Sequence, residues 1–134
     1  MSQQRFTERQ AEVANAAARL SEAVAHPESD IVRDAVIQRF EFSFELTWKT
    51  LKLYLERQGH ECGGPRATLK KAFAEALVTT PEEADIWLQM LEDRNLTSHA
   101  YDEALAKIIY QHISGSYASL LKEMADRIQT LSWD

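Results

Sequence analysis

Ile31-Val-Arg-Asp-Ala-Val-Ile-Gln-Arg-Phe40-Glu-Phe-Ser-Phe-Glu-Leu-Thr-Trp-Lys-Thr50-Leu-Lys-Leu-Tyr-Leu-Glu-Arg-Gln58 is the stretch that decides the fold. At about 100° per residue, Ile37, Phe40, Phe44, Trp48, Leu51 and Leu55 fall on one stripe of a helix. Ala35, Phe42, Leu46 and Leu53 fall on a second stripe, nearly opposite. Asp34, Gln38, Glu41, Glu45, Lys52 and Glu56 share the narrow polar strip between them. A helix apolar on two sides is buried on two sides. It is therefore central to a bundle, or it faces both its own core and a second subunit. Ser29 or Asp30 can cap its start, and Gly59 ends it.

The flanking segments read the same way. Phe6, Val13, Ala17, Leu20 and Val24 recur at helical spacing over residues 7–25, and Pro27 stops the pattern. Beyond the Glu61-Cys62-Gly63-Gly64-Pro65 punctuation, a short helix is predicted over 66–77. Thr80 is a cap, Pro81 takes the first helical position, and Glu83 can close a capping box, so a fourth helix is predicted from there to about Arg94. Ile86, Trp87, Met90 and Leu91 give it an apolar face. The last predicted helix spans 102–131, with Leu105, Ile108, Ile109, Ile113, Tyr117 and Leu121 among its apolar stripe. Some thirty residues make roughly 45 Å of helix. A compact chain of this length has a radius of gyration of about 14 Å. The bundle is therefore elongated, and self-association is a natural way to cover its flanks. The expected fold is all-α: residues 1–134 as a single antiparallel, up-down bundle of about five helices. No strand, internal repeat or low-complexity segment interrupts this reading.

Composition narrows the function classes. Hydrophobic residues make up 45% and charged residues 27% of 134 residues, an ordinary globular balance. The net charge of −6 argues against a protein that coats nucleic acid by bulk charge, while leaving room for a local basic site or a basic partner. Cys62 is the one cysteine, so no intramolecular disulfide is available and a reduced compartment is the simple reading. The polar start Met1-Ser-Gln-Gln-Arg-Phe lacks the apolar core of a signal peptide, and no apolar run approaches a membrane span. A cytoplasmic protein is expected. Metal and nucleotide signatures (His-Glu-x-x-His, GxGxxG, a Walker loop, GxSxG) are absent, so neither metal nor cofactor is expected.

The dense chemistry lies in Glu92-Asp93-Arg94-Asn95-Leu96-Thr97-Ser98-His99-Ala100-Tyr101-Asp102. Arginine offers an always-charged fork for phosphate oxygens, and histidine exchanges a proton near neutral pH. Together they suit phosphodiester cleavage, with a base for a ribose 2′-hydroxyl and a cation for phosphorane charge. On an unbroken helix Arg94 and His99 point about 140° apart, so they converge only through a helix break or a second subunit. Asp102 can orient the imidazole or cap the last helix. Plainer readings exist for each: Arg94 in a local ion pair with Glu92 or Asp93, and Tyr101 as half-buried packing. His112, on the apolar stripe, reads as a hydrogen-bonded core histidine. Trp48 and Trp87 read as core. Arg66, Lys70 and Lys71 read as a solvated basic face, and Glu41 with Glu45 as solvent or interface.

Three strings carry a family resemblance. They are Arg39-Phe-Glu-Phe-Ser-Phe-Glu-Leu-Thr-Trp-Lys-Thr-Leu-Lys-Leu-Tyr-Leu-Glu-Arg-Gln-Gly59, then Gly64-Pro65-Arg66 before Ala72-Phe73, and Trp87-Leu-Gln-Met-Leu-Glu-Asp-Arg-Asn-Leu-Thr-Ser-His-Ala-Tyr-Asp-Glu103. Over nearly the whole chain they resemble the nucleotidyltransferase substrate-binding protein family, a branch of the HEPN superfamily. Arg94 and His99 match the HEPN arginine–four residues–histidine motif, and with Tyr101 the extended form of HepT-like toxins. The resemblance implies a homodimer that brings two arginine–histidine sets to one cleft, and a separate MNT-type minimal nucleotidyltransferase as partner. In its toxin branch it implies a metal-independent ribonuclease acting on RNA, silenced when the partner adds AMP to the tyrosine. Those roles fall on Arg94, His99 and Tyr101, with Asn95 and Asp102 supporting. An older reading of the family implies a non-catalytic subunit holding a small acceptor for the partner's nucleotidyl transfer. A third is an interaction module that keeps the motif only for structure.

Overall fold

The computed structural model describes residues 2–134 and is an all-helical bundle. Helix α1 spans Gln3–Val24, α2 Asp30–Arg57, α3 Pro65–Ala74 and α4 Pro81–Leu96. A 3-10 turn, Thr97–His99, follows α4. Then α5 (Glu103–His112), a π-turn (Ile113–Tyr117) and α6 (Ala118–Gln129) run on without leaving helical backbone angles, making a fifth rod. The five-rod expectation holds. Among the described residues no helix is long and apolar enough to cross a membrane.

Local signals set the boundaries. Ser29, not Asp30, caps α2 by accepting from Val32 N at 3.1 Å. Thr80 accepts from Glu83 N at 3.1 Å with Pro81 in the first turn. The capping box is only half made, because the Glu83 carboxylate turns to Thr79 and Arg127 instead. The predicted third helix ends earlier than expected, at Ala74, and Ala76 with φ 61° turns the chain away.

Helix α2 is central, touching every other helix, as its two stripes require. Its first stripe is core: Phe40 stacks on Tyr117 with ring centroids 5.4 Å apart, and Phe44 meets Trp87 at 6.3 Å. Burying each such side chain contributes about 1.5–3 kcal/mol. Trp48 departs from the core reading; it is only partly buried and its indole N–H donates to Glu45. The second stripe is not covered within the chain. Phe42 is 65% exposed, and Ala35, Leu46 and Leu53 are half-buried. Ile108 is likewise exposed rather than part of the core. The C-terminal tail is pinned between α1 and the end of α2, where Trp133 stacks on Phe6 at 5.2 Å and lies under the Arg57 guanidinium.

Small polar side chains fill the rest of the buried face of α2. Ser43 and Thr47 are fully buried, and their hydroxyls have no hydrogen-bond partner. A buried, unpaired hydroxyl costs about 1–3 kcal/mol. Thr47→Val keeps the shape and removes that cost, so unfolding in urea should show stability unchanged or raised by about 1 kcal/mol. A loss of that size instead would mean that the hydroxyl has a partner in solution.

Candidate functional site

The α4–α5 junction is a real break. Thr97 leaves the α-helix with a 3-10 geometry, its backbone N–H bonding Arg94 O. Ala100 and Asp102 close the turn by bonding the Thr97 and His99 carbonyls. Asp102 then caps α5 by accepting from Leu105 N at 3.2 Å. Its carboxylate is thus a cap; no hydrogen bond joins it to the His99 ring.

Arg94 sits in the last turn of α4 and reaches across to the polar strip of α2. Its Nη1 lies 3.5 Å from Glu41 Oε2, and its Nε lies 3.3 Å from Glu45 Oε1. Nε is buried and makes no hydrogen bond, so the Glu45 contact is an ion pair out of hydrogen-bonding line. Nη1 also donates to Thr97 Oγ1 at 3.3 Å. The Thr97 hydroxyl lies 2.8 Å from Glu41 Oε2 and 2.7 Å from Arg94 O, so its one proton has two acceptors. The expected ion pair with Glu92 or Asp93 is therefore overturned. Helical geometry explains it: Arg94 lies about 100° around from Asp93, and that rotation turns it to α2. Glu41 and Glu45 accordingly face the motif arginine rather than open solvent. Arg94 Nη2 keeps no protein partner among the described residues, leaving one edge of the fork free.

His99 and Tyr101 face outward. His99 is exposed and its imidazole makes no side-chain hydrogen bond among the described residues. Tyr101 is 85% exposed, which overturns the packing reading for it; the rings meet edge-on, with centroids 6.0 Å apart. Asn95 is also exposed. The break turns His99 away from the helix, yet no hydrogen bond joins Arg94 to His99 within one chain.

The expectation of a hydrogen-bonded His112 holds, but its place in the core does not. Its side chain is 37% exposed, and its Nδ1 lies 2.7 Å from Asp93 Oδ2. The Tyr117 hydroxyl donates to the same oxygen at 2.6 Å. Burial, then the hydrogen bond and charge of Asp93, push the Tyr117 phenol far above its ordinary range, so it stays protonated. Sequence reading missed this cluster, and the local hint was Ser114-Gly115-Ser116, a small polar run with a glycine in the middle of the last rod. The remaining candidates stay bland. Arg66 and Lys70 are exposed, Trp87 is core, and burial raises the pKa of the Cys62 thiol.

A surface groove of about 360 Å³ runs along α2 to Arg94, lined by Glu41, Phe42, Glu45, Lys49 and Arg94 among others, while His99 and Tyr101 lie outside its lining. The uncovered Phe42 is thus continuous with the motif arginine.

The family model described as "Nucleotidyltransferase substrate binding protein like" matches residues 8–130. A crystal structure of a protein from Thermus thermophilus is similar at 38% identity, covering 87% of this chain and 98% of that chain, with a TM-score of 0.80. No curated protein matches the chain.

Proposed function

Because the chain belongs to the nucleotidyltransferase substrate binding protein like family, we propose that it is a HEPN toxin-like, metal-independent ribonuclease that works beside a separate MNT-type minimal nucleotidyltransferase. The partner neutralises it by adding AMP to Tyr101. The observation that carries this reading is the placement of Tyr101, 85% exposed beside an unbonded His99, at a break following Arg94. A phenol so exposed is open to a transferase, while a core tyrosine is not.

In this mechanism His99 takes the proton of a ribose 2′-hydroxyl. The 2′-oxygen attacks the adjacent phosphorus, and the bond to the 5′-oxygen breaks as that oxygen takes the proton from the His99 imidazolium. Arg94 offers its free Nη2 edge to the phosphate oxygens, where charge builds in the transition state. Asn95, exposed one residue on, is a helper at the rim. Arg94 and His99 do not meet within one chain, so the site is completed by a second copy. Phe42 supports that arrangement, being an exposed apolar residue in the Arg94 groove. AMP on Tyr101 adds negative charge and bulk next to His99, repelling an RNA backbone.

A test of the switch is intact mass after incubation with partner and ATP. Wild type should gain whole AMP units and lose RNA cleavage, and Tyr101→Phe should gain none and stay active. The same mass gain on Tyr101→Phe would remove the tyrosine from the scheme.

One observation favours the second reading, a non-catalytic substrate-binding subunit of a two-chain nucleotidyltransferase. Two carboxylates already face Arg94 at 3.3–3.5 Å and offset its charge. In that reading a small acceptor is nucleotidylated by the complex, and purified chain leaves RNA intact.

A further inference from the structure

Three side chains meet at Asp93, one residue before the motif arginine. Asp93 is 7% exposed, and its Oδ2 takes both the Tyr117 hydroxyl and His112 Nδ1, at 2.6 and 2.7 Å. The π-turn makes this convergence. Residues five apart on a regular α-helix point about 140° apart, so His112 and Tyr117 could not share one oxygen. In the π-turn Ala118 N–H bonds Ile113 O, a five-residue step, which brings residues five apart to the same side. The two rings lie 5.9 Å apart as a result. Tyr117 is itself wedged on Phe40, the residue before Glu41. The cluster therefore ties the last turn of α4 to the final rod and to α2.

We infer that Asp93 is the positioning residue for Arg94, and that His112 and Tyr117 with their π-turn are the lock that holds it. With Asp93 drawn inward by two donors, the last turn of α4 cannot rotate, and Arg94 is aimed at the groove. Arg94 needs such backbone help because its own contacts are loose: Nε, though buried, makes no hydrogen bond. The inference rests on the reading of Arg94 as a phosphate clamp, but its structural part stands alone. The lock also fixes a tautomer. A carboxylate oxygen that accepts from both partners keeps the His112 proton on Nδ1.

Nitrogen-15 NMR of the full chain tests this. The Arg94 Nε–H signal is identified by its loss in Arg94→Lys, and the ring nitrogens of His112 report its tautomer. Both donors meet the same oxygen, so Asp93→Leu, which keeps the size but offers no acceptor, opens the lock and releases the His112 proton from Nδ1. The expected result is that this variant moves or broadens the Arg94 signal while other arginines stay put. In RNA cleavage, kcat should fall by about 10²-fold, the scale of a misplaced catalytic group, with KM changed far less. A His112 proton that relocates while the Arg94 signal stays unchanged overturns the inference. If wild type cleaves no RNA, the ribonuclease reading fails, and the Arg94 signal still decides the positioning. If Asp93→Leu does not fold, Tyr117→Phe, which removes one donor only, must shift the same signal or the lock is refuted.

Discussion

His99→Ala should abolish RNA cleavage by the purified chain and leave its stability within about 0.5 kcal/mol of wild type. Both halves of that result come from the same geometry. The imidazole is exposed and makes no hydrogen bond among the described residues, so the fold does not lean on it. The 3-10 turn that carries it is closed by backbone bonds from Ala100 and Asp102, which alanine leaves intact. The edge contact with Tyr101 is all that is removed, and an exposed aromatic contact is worth little once solvent competes. Removing a general base or acid costs about 10²–10⁴-fold, which puts the residual rate at background. The assay uses a mixed RNA pool, without metal or partner, with thermal melts of both proteins alongside. Equal cleavage by wild type and variant would remove His99 from the chemistry. A stability loss well beyond the stated limit would give it a structural role instead.

In the proposed dimer, Phe42→Glu should separate the two copies and take cleavage with it. Phe42 is 65% exposed in the middle of the stripe that the chain leaves uncovered. Arg39 and Glu45 stand three residues to either side of it on α2. A twofold axis through Phe42 sets Arg39 of one copy opposite Glu45 of the other, the self-matching pattern that an isologous interface needs. It also draws both Arg94 grooves to one seam, because Phe42 lines the groove with Arg94. A carboxylate on that axis faces its own copy, and like charges at close range repel. The monomer itself should fold normally, since an exposed substitution stays within about 0.5 kcal/mol. Sedimentation equilibrium reads the outcome. A variant that remains dimeric places the seam elsewhere; one that is monomeric yet cleaves RNA shows that a single copy holds a complete site.

Particular elements show how far the residues alone could be followed. The two stripes of α2 announced its central place, because periodicity is a local property and burial follows from it. Thr80-Pro81 marked the start of α4, and Asp102 marked the start of α5, because caps act within one turn. The arginine, histidine and tyrosine of the junction stood out since a core has no use for them there. Their relations did not stand out. The sequence sets Arg94 beside Glu92 and Asp93, whereas its partners Glu41 and Glu45 come from a helix some fifty residues earlier. The stripe marks His112 as a hydrogen-bonded residue of the core, and the bond is there, but its partner is Asp93 on α4 and the ring lies half-exposed beside the π-turn.

By itself, then, the sequence determined the helices, their caps, the two-faced centre and the residue types gathered at the junction, all consequences of steric and solvent preferences that act over a few residues. The tertiary structure alone decided which carboxylates hold Arg94, that Tyr101 and His99 stand in solvent, that Phe42 is left bare, and that Asp93 joins His112 to Tyr117. Those facts depend on how whole helices rotate and cross, and a rotation is set by the summed packing of every residue along both rods rather than by any one of them.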